Sequence, residues 1–176
     1  MSQASKQIKW CLNKANKEIE ECKKLGKRLK HRGLVKIEPN TEEAEKHIAK
    51  AIHNFNAIGR FRDIGFSDWS ISAGFYCIYQ CFLAIAKKFG YESRNQACTI
   101  ALIESLKEEN KISLEQKFID MLKYQDIEEI QENSVIELRE DYTYGIELSV
   151  KEKTEIDGLI KICQEIIDVT KEIVIH

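Results

Sequence analysis

Arg139, Asp141, Tyr142 and Tyr144 crowd into one short segment, ELREDYTYG, and their side chains suit a phosphate and a base. A guanidinium grips phosphate through paired, charge-assisted hydrogen bonds. A tyrosine ring offers a face on which a nucleobase can stack. The competing reading is structural: Arg139 pairs with Asp141 or Glu137 and anchors the last helix, while Tyr142 fills the core. A second polar group, Glu92-Ser93-Arg94-Asn95, stands just before a helical stretch. Free N–H groups at a helix start can receive an anion, with Arg94 assisting. Ser93 or Asn95 acting as a plain N-cap is the alternative.

Other reactive side chains form no constellation. His47 and His53 are six residues apart and fall on opposite sides of a helix, so they are no ligand pair. Cys77 and Cys81 are one turn apart, but no further Cys-x-x-Cys or His pair completes a metal site. No metal or other cofactor is expected. The six cysteines lie inside helical stretches, and MSQASKQIKW lacks the apolar core of a secretory leader. They are therefore expected to be reduced, in a cytoplasmic protein.

Charge is distributed unevenly. Residues 1–36 carry eleven Lys/Arg against three Glu, whereas residues 101–176 carry nine against nineteen Asp/Glu. A basic nucleic-acid face is one reading. The other, preferred here, lays the basic first helix on the acidic last one, within a protomer or across a dimer.

These side chains must be positioned by helices. Residues 69–89, WSISAGFYCIYQCFLAIAKKF, are nearly uncharged yet too polar at Ser70, Ser72, Tyr76, Tyr79 and Gln80 for a membrane span. The segment reads as the buried central helix of an all-α domain. Phe75, Tyr76, Tyr79 and Phe82 then read as core rather than as a nucleotide pocket. Around it the periodicity predicts a first helix over 5–30 with Gly33 as its stop, and a linker over 34–40. A second helix opens at Thr41 as N-cap and closes near Gly65. The central helix is expected to start at Ser67 or Asp68. Further helices are expected over 95–109, 113–124 and 149–174. Residues 125–134 read as an acidic connection, and 135–145 as either a helical turn or an extended segment. The fold class is all-α: an antiparallel up-and-down bundle of four to five helices over 41–176, with an additional basic N-terminal helix over 1–36.

The order of these parts, with the segments FYCIYQ, GYESRN and ELREDYTYG, resembles the HEPN domain (higher eukaryotes and prokaryotes nucleotide-binding), in its small stand-alone archaeal and bacterial branch. The resemblance covers residues 41–172. It implies a helical bundle that is commonly a homodimer, and the toxin side of toxin–antitoxin pairs whose partner is a minimal nucleotidyltransferase. It also implies metal-independent endoribonuclease chemistry by an Arg followed closely by a His. Arg139 matches the Arg. Where the His belongs this chain has Thr143, Tyr144, Gly145 and Ile146. A phenol, with a reference pKa of about 10, is a poor proton carrier at neutral pH. Tyr142 or Tyr144 is also where such a partner would attach an adenylate group.

The function expected is therefore HEPN-like nucleotide or RNA binding, or toxin–antitoxin-type interaction, without standard ribonuclease activity. Two alternatives stand beside it: an active endoribonuclease using Arg139, and a helical structural adaptor.

Overall fold

The computed structural model describes residues 2–123, 135–150 and 153–176. The elements are α1 (Gln3–Lys24), β1 (Leu34–Lys36), α2 (Thr41–Asp63), α3 (Ser67–Lys88), β2 (Tyr91–Ser93), α4 (Gln96–Glu108), α5 (Gln116–Asp120), α6 (Val135–Tyr144) and α7 (Lys153–Ile175). The all-α expectation holds, and 135–145 resolves as helix α6. The acidic connection over 125–134 lies outside the described residues.

α3 is the hub, in contact with α2, α4, α6 and α7. Its apolar faces (Ile71, Phe75, Ile78, Phe82 and Ile85 among them) are almost fully buried. By length and composition α3 could cross a membrane, but most of it is enclosed by the bundle. Several of its polar residues find a partner on another element. Ser70 Oγ donates to Ile58 O at 2.8 Å, Tyr79 Oη meets Thr99 Oγ1 at 3.2 Å, and Gln80 Oε1 meets His47 Nδ1 at 2.7 Å. Buried hydroxyls and amides persist because such bonds offset their desolvation. At Gly74 a Cβ would run into the Leu159 side chain, so the missing side chain is what lets α7 approach. α7 runs in the same sense as α3. Ser67 Oγ accepts from Val150 N at one end, and Lys88 Nζ donates to Val174 O at the other.

Several boundaries differ from the sequence expectation. α1 ends at Lys24, six residues early, because Gly26 takes a left-handed turn (φ 60°). Leu25, just past the end of α1, is exposed. Asn40 rather than Thr41 caps α2: its side chain accepts from Glu43 N at 2.9 Å, the usual reach of a cap to the third helical N–H. α3 starts without a side-chain cap, since Ser67 Oγ is engaged by Val150 instead. The 34–40 linker contains a strand, β1, paired antiparallel to β2 with Val35 opposite Glu92. Three residues per strand are too few for a period-two pattern to register.

Two expectations are overturned around α1. Cys11 and Cys98 are not reduced but joined in a disulfide that ties α1 to α4, 87 residues apart in sequence. The two Cα atoms stand 5.9 Å apart, and small buried residues, Ala4 and Ala15, flank Cys11 on that side of α1. The cytoplasmic expectation loses the support it drew from reduced cysteines. Nor does the basic first helix lie on the acidic last one within the protomer. α1 packs on α4 and β1, while α7 packs on α3 and α2.

Candidate functional site

α6 carries four of the expected site residues, and the structure treats them differently. Arg139 is folded inward. Its guanidinium carbon lies 4.6 Å from the centroid of the Phe75 ring on α3, and its side chain is 17% exposed. Phe75 in turn stacks with Tyr79 and meets Tyr76 edge-on, so the cation caps a small aromatic array. A desolvated cation over a ring face is favourable. The Glu140 carboxylate is 3.8 Å away, too long for a hydrogen bond, and Arg139 Nε is buried without a hydrogen-bond partner among the described residues. Burial and the ring contact thus give this side chain a packing contact with α3.

Of the residues after Arg139, Asp141, Thr143 and Tyr144 face outward, whereas Tyr142 is half-buried and packs partly against the core. Tyr142 and Thr143 line a depression of about 210 Å³, completed by Asp68, Trp69 and Ser72 at the start of α3 and by Gly145–Leu148. Three of its lining residues are large apolar side chains more than half exposed: Trp69, Ile146 and Leu148. Large exposed aromatics and aliphatics gathered on one side are characteristic of contact surfaces. Trp69 was read from sequence only as part of a helix start. Its exposure follows from the α2–α3 turn, which leaves Ile64, Phe66 and Trp69 outside the bundle.

Arg94 and Asn95 are not part of this cluster. They stand at the β2–α4 junction, where Asn95 Oδ1 accepts from Cys98 N at 3.0 Å as the α4 cap. Arg94 Nε bonds Glu92 at 2.9 Å. Asn95 also edges a wider depression of about 660 Å³ between α1 and α4, with Gln3, Gln7, Gln96 and Glu104.

Glu92 is the centre of a brace. Gly33 N donates to His31 Nδ1 at 3.4 Å, which leaves Nε2 as the donor toward Glu92 Oε1 at 3.2 Å. Lys87 Nζ stands 3.7 Å from the other carboxylate oxygen. Burial alone would raise the Glu92 carboxyl, but the His31 bond and the Lys87 and Arg94 charges outweigh it and hold it below its usual value.

The buried thiols offer little reactivity. Cys77 is pushed up by its hydrogen bond with Cys163, and Cys81 by its hydrogen bond with Cys77 and by burial. Protonated thiols are poor nucleophiles and poor metal ligands. Among the described residues no three His, Cys, Asp or Glu side chains gather to hold a metal ion. Comparison of the chain with protein-family models finds no match, and comparison with curated proteins finds none.

Proposed function

We propose that the protein is a HEPN-like binding module that engages RNA or a nucleotide, acts through protein contacts of the toxin–antitoxin kind, and does not cleave RNA. The observation that carries this reading is the contrast within α6. Arg139, the arginine suited to transition-state charge, is folded onto Phe75, whereas Trp69 and Tyr142 line an open depression and Tyr144 is exposed between the lining residues Thr143 and Gly145. Phosphoryl-transfer catalysis needs a cation and a proton carrier converging on the reacting phosphate. Here two of the four imidazoles have partners elsewhere, His31 with Glu92 and His47 with Gln80. Aromatic faces can still stack a base, and exposed apolar lining residues can seat a second copy or a small nucleotidyltransferase.

The test is equilibrium binding and cleavage with one labelled single-stranded RNA. We expect retention of intact RNA, with affinity reduced about five-fold or more by Tyr144→Ala, in line with the loss of one stacked base. Cleavage that disappears in Arg139→Ala would replace this reading with the endoribonuclease. Absence of binding to RNA, to nucleotide and to a nucleotidyltransferase would leave the structural adaptor.

A further inference from the structure

The N-terminal layer poses a different electrostatic problem from the bundle. Of the eleven Lys/Arg side chains in residues 1–36, none forms an ion pair among the described residues. Between Cys22 and Ile37 there are seven Lys/Arg and no Asp or Glu. All seven (Lys23, Lys24, Lys27, Arg28, Lys30, Arg32 and Lys36) are exposed. Unneutralised like charges repel one another, so a chain gains nothing in stability by concentrating them.

The segment that carries them is nevertheless held in place. The left-handed Gly26 reverses the chain after α1, and Lys27 N bonds Cys22 O at 2.9 Å. Glu18 accepts from Arg32 N, and His31 is buried against Glu92. At Gly33 a Cβ would strike the Cys11 carbonyl, so the loop is laid directly on α1 beside the Cys11–Cys98 disulfide. The face of α1 turned away from the loop carries further cations and meets the loop at Lys24, where the helix ends. Lys6, Trp10, Asn13, Lys17 and Lys24 recur at three-, four- and seven-residue steps, which places them on one helical face. Trp10 is 53% exposed, and Lys14 Nζ sits 5.0 Å above its ring.

We infer that α1 and the 25–36 loop together form a binding surface for single-stranded nucleic acid, with the loop cations on phosphates and Trp10 stacking a base. This deepens the RNA-binding reading given above and rests on it. The chemistry fits point by point. A strand of phosphates supplies the missing counter-charge. An aromatic set among lysines and amides is the usual platform for an unpaired base. An anionic membrane is the less suitable occupant. A helix lying in a bilayer interface must present its apolar face outward, whereas the apolar side of α1 (Ala4, Cys11 and Ala15) is turned into the protein. Leu25 and Leu29 are exposed singly on the loop and extend no such face.

The experiment is fluorescence anisotropy of the full chain with an unstructured oligonucleotide, as RNA and as DNA, over a salt series. It compares wild type with Lys27→Glu/Arg28→Glu/Lys30→Glu and with Trp10→Ala. Thermal melts check the fold of each variant: the triple change relieves repulsion and should not lower the melt, while Trp10→Ala gives up only the surface contact with Lys14 and should lower it slightly. The triple change is expected to lower affinity on the order of ten-fold or more and to flatten the slope of log affinity against log salt by about 2. Trp10→Ala is expected to lower affinity about five-fold or more with the salt slope intact. Stronger binding to RNA than to DNA would identify RNA as the source, and equal binding would identify any single strand. Binding that persists in both variants and is lost in Tyr144→Ala would overturn the arm as the site while leaving RNA binding in place. No binding by wild type at low salt overturns both. Capture by phosphatidylserine vesicles without oligonucleotide binding, or a dimer that dissolves in the triple variant, would assign the arm to a membrane or to a second copy instead.

Discussion

Arg139 and the cations of the N-terminal arm stand in opposite circumstances. Arg139 is folded against Phe75 with one nitrogen buried and without a hydrogen-bond partner among the described residues, and its side chain is 17% exposed. The seven arm cations, Lys23 and Lys24 at the end of α1 and five more from Lys27 to Lys36, lie exposed on a stretch held by hydrogen bonds, a tight glycine contact and a neighbouring disulfide. A cation placed on a ring inside a bundle is explained by packing. A rigid row of cations without partners is not, because its own geometry makes the folded state less stable and only an outside anion reverses the sign. Proximity to a recognised sequence pattern is therefore a poorer guide to function than the state of the charge.

The largest expected effect tests the link between the two regions. The Cys11–Cys98 bond closes a long loop of 87 residues in separation, and the chain-entropy account gives such a bond about 4 kcal/mol. Cys98→Ser should therefore lower stability by about that amount in urea unfolding. Hydrogen exchange should then show α1 opening before α3. Equal exposure of both helices would mean that arm and bundle unfold as one unit with or without the bond. Thiol labelling of the unreduced, denatured chain supplies a direct count: four reactive cysteines are expected, Cys22, Cys77, Cys81 and Cys163.

A smaller effect separates packing from ligand binding at Arg139. Arg139→Ala removes the stem that covers Phe75 and should cost about 1–2 kcal/mol, the range for a partly desolvated cation–π contact. Arg139→Met keeps an unbranched apolar stem over the ring and discards the buried nitrogen, so it should recover most of that loss. Oligonucleotide affinity should change in neither variant. A fall in affinity at unchanged stability would return Arg139 to the site and weaken the contrast with the arm.

Much of the fold is legible in residue types alone. The apolar length and small residues of α3 mark it as the hub, since only a helix covered on most sides tolerates so few charges. What escapes sequence reading are contacts made by distant residues. Nothing in the spacing of Cys11 and Cys98 reveals that α1 and α4 lie together. The ring beneath Arg139 belongs to α3, 64 positions earlier, so the same segment read alone supports a phosphate site equally well. The excess of positive charge near the N-terminus is plain in the sequence. Its freedom depends on where the acidic helix packs, which is against α2 and α3. Caps fail for a more local reason: Asn40 and Thr41 are adjacent, both are good caps, and a rotation of one residue decides between them.

The smallest expected effect concerns the brace that holds the loop. Glu92 is kept below the ordinary carboxyl range once the His31, Lys87 and Arg94 contacts have outweighed its burial. A depressed folded pKa means that the unfolded chain takes up the proton first. The contribution is thus complete above the ordinary Glu value of about 4.3 and fades as pH falls through the lower folded value. The Glu92 side chain is 30% exposed, so screening keeps the contribution below about 1 kcal/mol. Glu92→Gln should reduce stability slightly at pH 7, and the difference from wild type should shrink as pH falls below the ordinary carboxyl range. The same variant should loosen the 25–36 loop, visible as faster amide exchange at Arg32 and Gly33. Oligonucleotide affinity should then decline modestly although no cation has been removed. If affinity is unmoved while the loop loosens, the arm binds through charge density alone and the rigidity of its brace serves folding rather than recognition.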